Sequence, residues 1–353
     1  MLPVTMFNRH HPFTQGFNLI GNPYPSPIDW DSPVGWVRDH VDNALYYFNA
    51  GTTDQYTGTY STYINGISSD GIASNIIPAM QGFFMHVSNG PPYPVAATLI
   101  YTNDVRINNL SPHFHKDTRA ETRPLLRIKA RFGSEGSSGD AVVIYFDNEA
   151  TLNFDAKKDA LKLMNTDFAE PSLYAISMDS EKLSINGLPW PDDSITMVPL
   201  GVKTQLDGKV IFNCHDLNNL PGDMFVYFCD KQTGTKQNVV LHPEFITQLN
   251  AGDHENRFSL IFSKYDLRFH PKHNEIFHVY SYRNRVYIYM SLPAEDQAEL
   301  TIHNMVGQRT VHQKLQGNGY TEIDLETGSG IYIVTLRSSL EIYTKKIYIN
   351  NQW

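Results

Sequence analysis

The C-terminal part of this chain alternates apolar and polar residues in a pattern that strongly constrains its fold. Between residues 277 and 349 the alternation runs through short segments that are separated by turn residues. Successive side chains of a β-strand point to opposite faces, so each segment has one apolar face to bury and one polar face for solvent. Several such segments in series predict half-buried antiparallel strands.

Three stretches within this region carry a specific order of residues. The first, LTIHNMVGQR at residues 300–309, runs from a strand into a turn at Gly307, where glycine suits the positive φ of a tight turn. The second, GIYIVTL, begins at Gly330 and contains Tyr332, and the third, TKKIYI, contains Lys346. In order and spacing, the three stretches resemble the type A C-terminal sorting domain of proteins exported by the type IX (Por) secretion system of Bacteroidetes.

This resemblance implies an immunoglobulin-like sandwich that serves as an export address. Such a domain is recognised at the outer membrane by the type IX secretion machinery, and it is usually removed as the cargo is released or attached to surface polysaccharide. The implied location is the cell surface or the extracellular space, after translocation across the outer membrane. The alternative is an ordinary immunoglobulin-like β-sandwich without a role in export.

Composition excludes several classes of protein. The 353 residues include 28 basic and 37 acidic side chains, and the net charge of −9 argues against a nucleic-acid-binding protein. No apolar run approaches the roughly 18 residues that a transmembrane helix needs. The first residues lack the features of a signal peptide. We therefore expect the chain to be the C-terminal part of a longer precursor, or its start to be misassigned.

Three regions are predicted along the chain. Residues 1–118 form a β-rich N-terminal domain that contains the motif GFNLIGNPYP, which begins at Gly16. This motif resembles one that recurs in large Bacteroidetes surface proteins. Residues 119–265 form a β-sandwich with one short helix at 155–164, where Asp155 can cap the N-terminus. Residues 266–353 form the sorting-type domain.

The predicted fold class is all-β, with tandem β-sandwich domains that end in an immunoglobulin-like sandwich. Strands of about five to seven residues between turn residues favour sandwiches. A single helix cannot build the βαβ units of the usual nucleotide-binding folds. Two cysteines, Cys214 and Cys229, flank a loop, and whether they form a disulfide is left open because a short hairpin would place them out of register.

The search for catalytic chemistry finds no known motif. The chain has no GxSxG elbow, no phosphate-binding Gly-Lys-Ser/Thr loop and no HExxH zinc helix, so we predict no catalytic residue and no cofactor. Calcium is the one metal that we consider, because loop carboxylates at the rim of a sandwich can supply its oxygen ligands. The alternative is that these carboxylates are solvated or cap turns. The candidate ligands are Asp140, Asp147, Glu149, Asp155 and Asp159.

A second candidate site is a group of aromatic residues in the N-terminal region. Flat aromatic faces beside carboxylates and amides suit sugar rings, but aromatic residues more often pack in a core. The candidate glycan contacts are Trp30, Trp36, Tyr46 and Tyr47.

These observations favour a non-catalytic, adhesin-like or structural protein of the cell surface. The expected partners are the type IX secretion machinery and, at the surface, polysaccharide, glycans or host proteins. The alternatives are the C-terminal accessory part of a larger secreted hydrolase and a glycan-binding module. A catalytic motif in upstream sequence would favour the hydrolase.

Overall fold

The structure is a computed structural model of the full chain. It describes residues 2–51, 54–108, 121–133, 137–190, 195–222, 224–255, 257–263, 277–282, 284–290, 292, 296–316, 319–339 and 342–350. The predicted boundaries at residues 118 and 265 lie outside these ranges, so the three-region division stays a prediction.

In the described ranges the chain forms strands and one 3-10 turn, Asn103–Val105, and no α-helix. The N-terminal strands are β1 Leu2–Asn8, β2 Phe17–Gly21, β3 Ile28–Asp29, β4 Trp36–Asp39, β5 Leu45–Ala50, β6 Gly58–Ile64, β7 Ile67–Ser68, β8 Ile76–Ile77, β9 Gly82–His86 and β10 Val95–Tyr101. The middle strands are β11 Leu125–Phe132, β12 Asp140–Phe146, β13 Ala160–Leu161, β14 Ser172–Ile176, β15 Lys182–Leu188, β16 Thr196–Thr204, β17 Gly208–Asn218, β18 Phe225–Asp230, β19 Thr235–Asn238, β20 Glu244–Leu249, β21 Gly252–Asp253 and β22 Phe258–Ser263. The C-terminal strands are β23 Phe277–Tyr282, β24 Arg285–Met290, β25 Gln297–Asn304, β26 Arg309–Gln316, β27 Gly319–Asp324, β28 Gly330–Arg337 and β29 Ile342–Ile349.

The N-terminal strands form three sheets, in the orders β1-β10-β4, β2-β9-β5-β6-β7 and β3-β8. Alternating side chains of β10 point into a shared core, as the period of a half-buried strand requires. This core contains Trp30, Tyr47, Phe83, Met85 and Leu99.

The middle strands form one long sheet, in the order β19-β18-β22-β16-β14-β15-β12-β11-β17-β20, with β13 on β15 and β21 on β16. All seven residues of β12 are buried, because β12 is a central strand that is covered on both faces. At the two ends of the sheet, the side-chain amide of Gln237 donates hydrogen bonds to the carbonyl oxygens of His242 and Glu244. The terminal strands β19 and β20 are thereby brought together, and the sheet curls toward closure.

One compact unit comprises Met1–Trp190, Val198–Gly222 and Tyr227–Leu260. Within it, side chains from the first predicted region pack against side chains from the second. The shared cluster includes Tyr46 and Ile64 from the N-terminal strands and Val143, Tyr145 and Ile185 from the middle sheet.

The second compact unit comprises Pro191–Met197, Asp223–Val226 and Ile261–Trp353. Its strands β23-β24-β27 form one sheet, and β26-β25-β28-β29 form another. Residues of both sheets, including Phe277, Ile288, Leu300 and Val334, share one core. The predicted fold class is confirmed: the described chain is all-β, and it ends in a seven-stranded immunoglobulin-like sandwich.

The predicted helix at residues 155–164 is wrong. The carbonyl oxygen of Asp155 accepts the N–H groups of Lys158 and Asp159, at 2.9 and 2.7 Å, so a single turn forms. The chain then enters β13, which pairs with β15, and Ala160 and Leu161 are both buried. Burial in the sheet therefore overrides a local pattern that resembles a helix.

Candidate functional site

The sorting-motif residues lie in the C-terminal sandwich. Gly307 has a φ of +81° in the turn between β25 and β26, where its N–H donates to the carbonyl oxygen of Asn304 at 3.0 Å. Glycine is the residue that adopts this conformation without strain. Tyr332 is buried on β28, two residues after Gly330, and its hydroxyl donates to a backbone carbonyl oxygen at 2.7 Å. Lys346 is exposed on β29. The roles of these four residues in sorting stay a prediction.

The predicted aromatic group lies largely inside the N-terminal core. Trp30 is 0% exposed, Tyr46 1% and Tyr47 6%, while Trp36 is partly exposed. The guanidinium of Arg38 lies 3.7 Å from the ring centroid of Trp30, and the Trp36 ring packs edge-on against the same indole at 4.8 Å. Three of the four rings thus have their faces covered by the protein, which favours the packing interpretation over sugar contact.

The five candidate calcium ligands are distributed over separate interactions. Asp140 pairs with Lys162 in the interior. Asp147 and Glu149 both contact Lys158, at 2.7 and 3.1 Å.

The remaining two carboxylates accept backbone N–H groups. Asp155 binds the N–H of Lys157 at 2.9 Å, and Asp159 binds those of Asp155 and Gly187 at 2.7 and 2.6 Å. Within the described residues, no three His, Cys, Asp or Glu side chains are grouped so that they could hold a metal ion. A calcium site at these residues stays a prediction, and this arrangement offers no assembled ligand set for it.

Glu170 is a structural residue that the sequence did not reveal. Its side chain is buried, and its carboxylate accepts hydrogen bonds from the loop between β11 and β12: from the N–H groups of Ser138 and Gly139, at 2.6 and 2.7 Å, and from the Ser137 hydroxyl, at 2.8 Å. The backbone N–H groups of this glycine-rich loop, which could bind an anion, therefore bind the carboxylate of Glu170. No local motif could have indicated this pairing, because about thirty residues separate the two segments.

A cleft of about 800 Å³ opens in the first compact unit. The loop between β1 and β2 supplies His10, His11 and Phe13 to one wall, and Tyr60 and Lys203 line other parts of it. The Phe13 ring is 89% exposed and lies 5.3 Å from the imidazole of His11. Apolar rings and hydrogen-bonding groups thus face the same space, which is the composition of many small-molecule sites.

A buried pair holds this loop at its base. The Nδ1 atom of His86 lies 2.5 Å from a carboxylate oxygen of Asp42, and its Nε2 atom lies 2.9 Å from the carbonyl oxygen of Gln15. Ser88 donates its hydroxyl proton to the other oxygen of Asp42 at 2.5 Å. Both ring nitrogens of His86 are engaged, so this Ser-Asp-His group fixes the loop and leaves no nitrogen free to act as a base.

The two cysteines are free thiols in this structure, and both are buried. Burial in apolar surroundings disfavours the thiolate and raises the pKa of Cys214 and that of Cys229 to about 12. Two unreactive, unpaired thiols are consistent with a core packing role.

No helix in the described part of the chain has the length and apolar character that a bilayer crossing demands.

Two family models match the sequence: "Domain of unknown function (DUF8693)" over residues 7–262, and "Secretion system C-terminal sorting domain" over residues 282–350.

A curated relative, "Minor fimbrium subunit Mfa5" of Porphyromonas gingivalis, is 24% identical over 280 residues. The match covers 70% of this chain and 21% of the relative, so the chain spans about a fifth of the length of that protein. The chain belongs to the family described as Domain of unknown function (DUF8693), and its sorting domain makes it a type IX secretion-sorted protein of the cell surface or the extracellular space.

Proposed function

We propose that this chain is a structural or adhesin-like subunit of a surface assembly, delivered by its C-terminal sorting sandwich. The observation that carries the proposal is the similarity to a minor fimbrium subunit across a region joined to a sorting domain. An all-β chain that ends in a sorting sandwich suits this role, because sheets with buried cores present stable surfaces for assembly.

A glycan-binding module is the second candidate, and the cleft favours it. The exposed Phe13 ring offers a flat apolar face, and amide and imidazole groups beside it can bind hydroxyls. The hydrolase alternative has no observation in this chain that favours it.

Two export experiments in the native host test the proposal. Deleting residues 266–353 should abolish recovery of the chain at the cell surface and in the medium. Because a truncated chain could also be lost through misfolding, residues 266–353 should be fused to a monomeric reporter protein that already carries a signal peptide for export to the periplasm. The fused reporter should then reach the cell surface or the medium, and the same reporter without residues 266–353 should not. A truncated chain that reaches the surface at normal levels would contradict the proposed export role of residues 266–353. A fused reporter that stays inside the cell would contradict it as well.

Assembly is tested separately on the exported protein. The surface fraction should be separated by size without denaturation, and the chain should be found with other proteins in particles much larger than a single chain, whose 353 residues here have a mass of 40.1 kDa. Recovery as a free monomer that binds neither glycan nor host protein would refute the structural and adhesin-like role while leaving the export result intact.

A further inference from the structure

A lysine and an aspartate meet in the interior of the middle sheet. The Nζ atom of Lys162 lies 2.5 Å from the Oδ2 atom of Asp140, and the two side chains are 2% and 5% exposed. A carboxyl C–O bond adds about 1.2 Å, so the nitrogen lies at most about 3.7 Å from the carboxyl carbon. This separation is close to the distance at which a nucleophile and its target carbon react.

The backbone fixes both side chains in this position. Asp140 is the first residue of β12 and pairs with Ala130 on β11. The N–H of Lys162 donates to the carbonyl oxygen of Lys182 at 2.8 Å. The backbones of both residues are therefore held by the sheet, and burial of the two side chains leaves them little room to separate.

A third strand supplies a hydrogen-bond donor to the carboxyl group. The N–H of Leu173, on β14, donates to Oδ2 of Asp140 at 2.7 Å. A fixed backbone donor at a carboxyl oxygen stabilises the negative charge that develops there when a nucleophile attacks the carbon. The arrangement thus combines a nucleophile, an electrophilic carbon and an oxyanion donor.

The interior disfavours two separate charges. Burial raises the pKa of Asp140, against the opposing attraction of Lys162. Moving one proton from the ammonium to the carboxylate gives a neutral amine beside a neutral acid and removes both charges from a medium that solvates them poorly. The neutral pair is the form that can condense.

We propose that Lys162 and Asp140 join spontaneously in an intramolecular isopeptide bond. The lone pair of Nζ attacks Cγ of Asp140, and a new C–N bond forms. Oδ2 remains as the amide oxygen, while the bond from Cγ to the other carboxyl oxygen breaks. That oxygen leaves as water with the carboxyl proton and one proton from the nitrogen, so no oxidant, reductant or co-reactant is needed.

Burial distinguishes this pair from two other lysine–aspartate pairs in the described part of the same unit. Lys158 and Asp147 approach to 2.7 Å, but their side chains are 20% and 21% exposed. Lys182 and Asp253 are about one third exposed. Solvent keeps such pairs ionised, and an ammonium cannot act as a nucleophile. These two partly exposed pairs should therefore form no isopeptide bond, and they serve as internal controls for the buried pair.

The mass of the purified full chain tests the proposal. After denaturation, the wild-type chain should weigh less than its sequence by one water, about 18 Da. Proteolytic digestion and tandem mass spectrometry should then identify a branched peptide that joins residues 140 and 162. No branched peptide should join Lys158 to Asp147.

Substitutions identify which two residues form the bond. Asp140→Ala and Lys162→Ala should each have the full mass of their sequence, while Asp147→Ala should keep the loss. Asp140→Asn should lose ammonia, about 17 Da, and give the same cross-linked product as the wild type. A wild-type chain at full sequence mass would overturn the proposal even if the alanine variants fail to fold. A loss of water located in a linear peptide, as in an aspartyl succinimide, would overturn it as well.

Discussion

Replacing Asp159 with asparagine tests whether one buried carboxyl group makes the stability of the fold depend on pH. The side chain is 2% exposed, and its two oxygens accept the N–H groups of Asp155 and Gly187. Burial disfavours the charged form and raises the pKa of Asp159 from 3.8 to about 7, although the two N–H groups oppose this shift.

The sign of the effect follows from proton binding. Between pH 3.8 and about 7 the folded state binds the Asp159 proton and the unfolded state releases it. The stabilising contribution is therefore complete below pH 3.8 and is lost as the pH rises through about 7. A difference of about 3 pKa units corresponds to about 4 kcal/mol, of which about 3 kcal/mol falls between pH 4.5 and 7.5.

Urea unfolding of the wild type and of Asp159→Asn across that pH range measures the effect. An asparagine carries no charge at any of these pH values, so its fixed cost cancels when the two pH profiles are compared. The free energy of unfolding of the wild type should fall relative to the variant by about 3 kcal/mol. Asp54→Asn is the matched control, because Asp54 is exposed and backbone N–H groups lower its pKa. Parallel profiles for wild type and Asp159→Asn would refute the reasoning.

Two further predictions concern packing and the thiols. Gly201→Ala should lower the free energy of unfolding by about 1–3 kcal/mol or more, because the new Cβ would lie 2.1 Å from the Tyr174 ring. Gly222→Ala is the control, since open space surrounds Gly222, and it should change the free energy of unfolding by less than about 0.5 kcal/mol. Equal effects of the two changes in urea unfolding would contradict the packing argument. Cys214 and Cys229 should resist a thiol reagent in the folded chain and react after denaturation, and rapid labelling of the native protein would show that their burial is wrong.

The C-terminal sandwich could be predicted because its signals are local. Alternation along each strand defines the buried face, and a turn such as that at Gly307 requires a particular residue. The predicted Asp155 cap is also local, and Asp155 does accept a backbone N–H in the turn that forms there. The prediction of a helix after Asp155 was wrong because β13 pairs with β15, and local periodicity cannot show pairing between distant segments.

The candidate sites were harder to predict, because exposure depends on tertiary packing. Trp30 and Tyr46 lie near acidic residues in sequence, as a sugar site would require, yet the fold places both rings in cores. The exposed cleft is lined instead by Phe13, a residue that was not among the four candidate aromatics. A ring can bind a ligand only if the fold leaves one face free, and that information resides in the packing of several strands.

The buried carboxylates of the first compact unit share one property that bears on how an acidic stretch of sequence is interpreted. Asp42, Asp140 and Glu170 each contact a partner on a different segment of the chain. A buried carboxylate needs such partners, because the interior does not solvate its charge. Carboxylates that are neighbours in sequence can therefore have different partners: Asp140 pairs with Lys162, and Asp147 pairs with Lys158. The tertiary fold decides which partner each carboxylate meets, so an acidic stretch in an all-β chain is as compatible with links between distant segments as with a metal site.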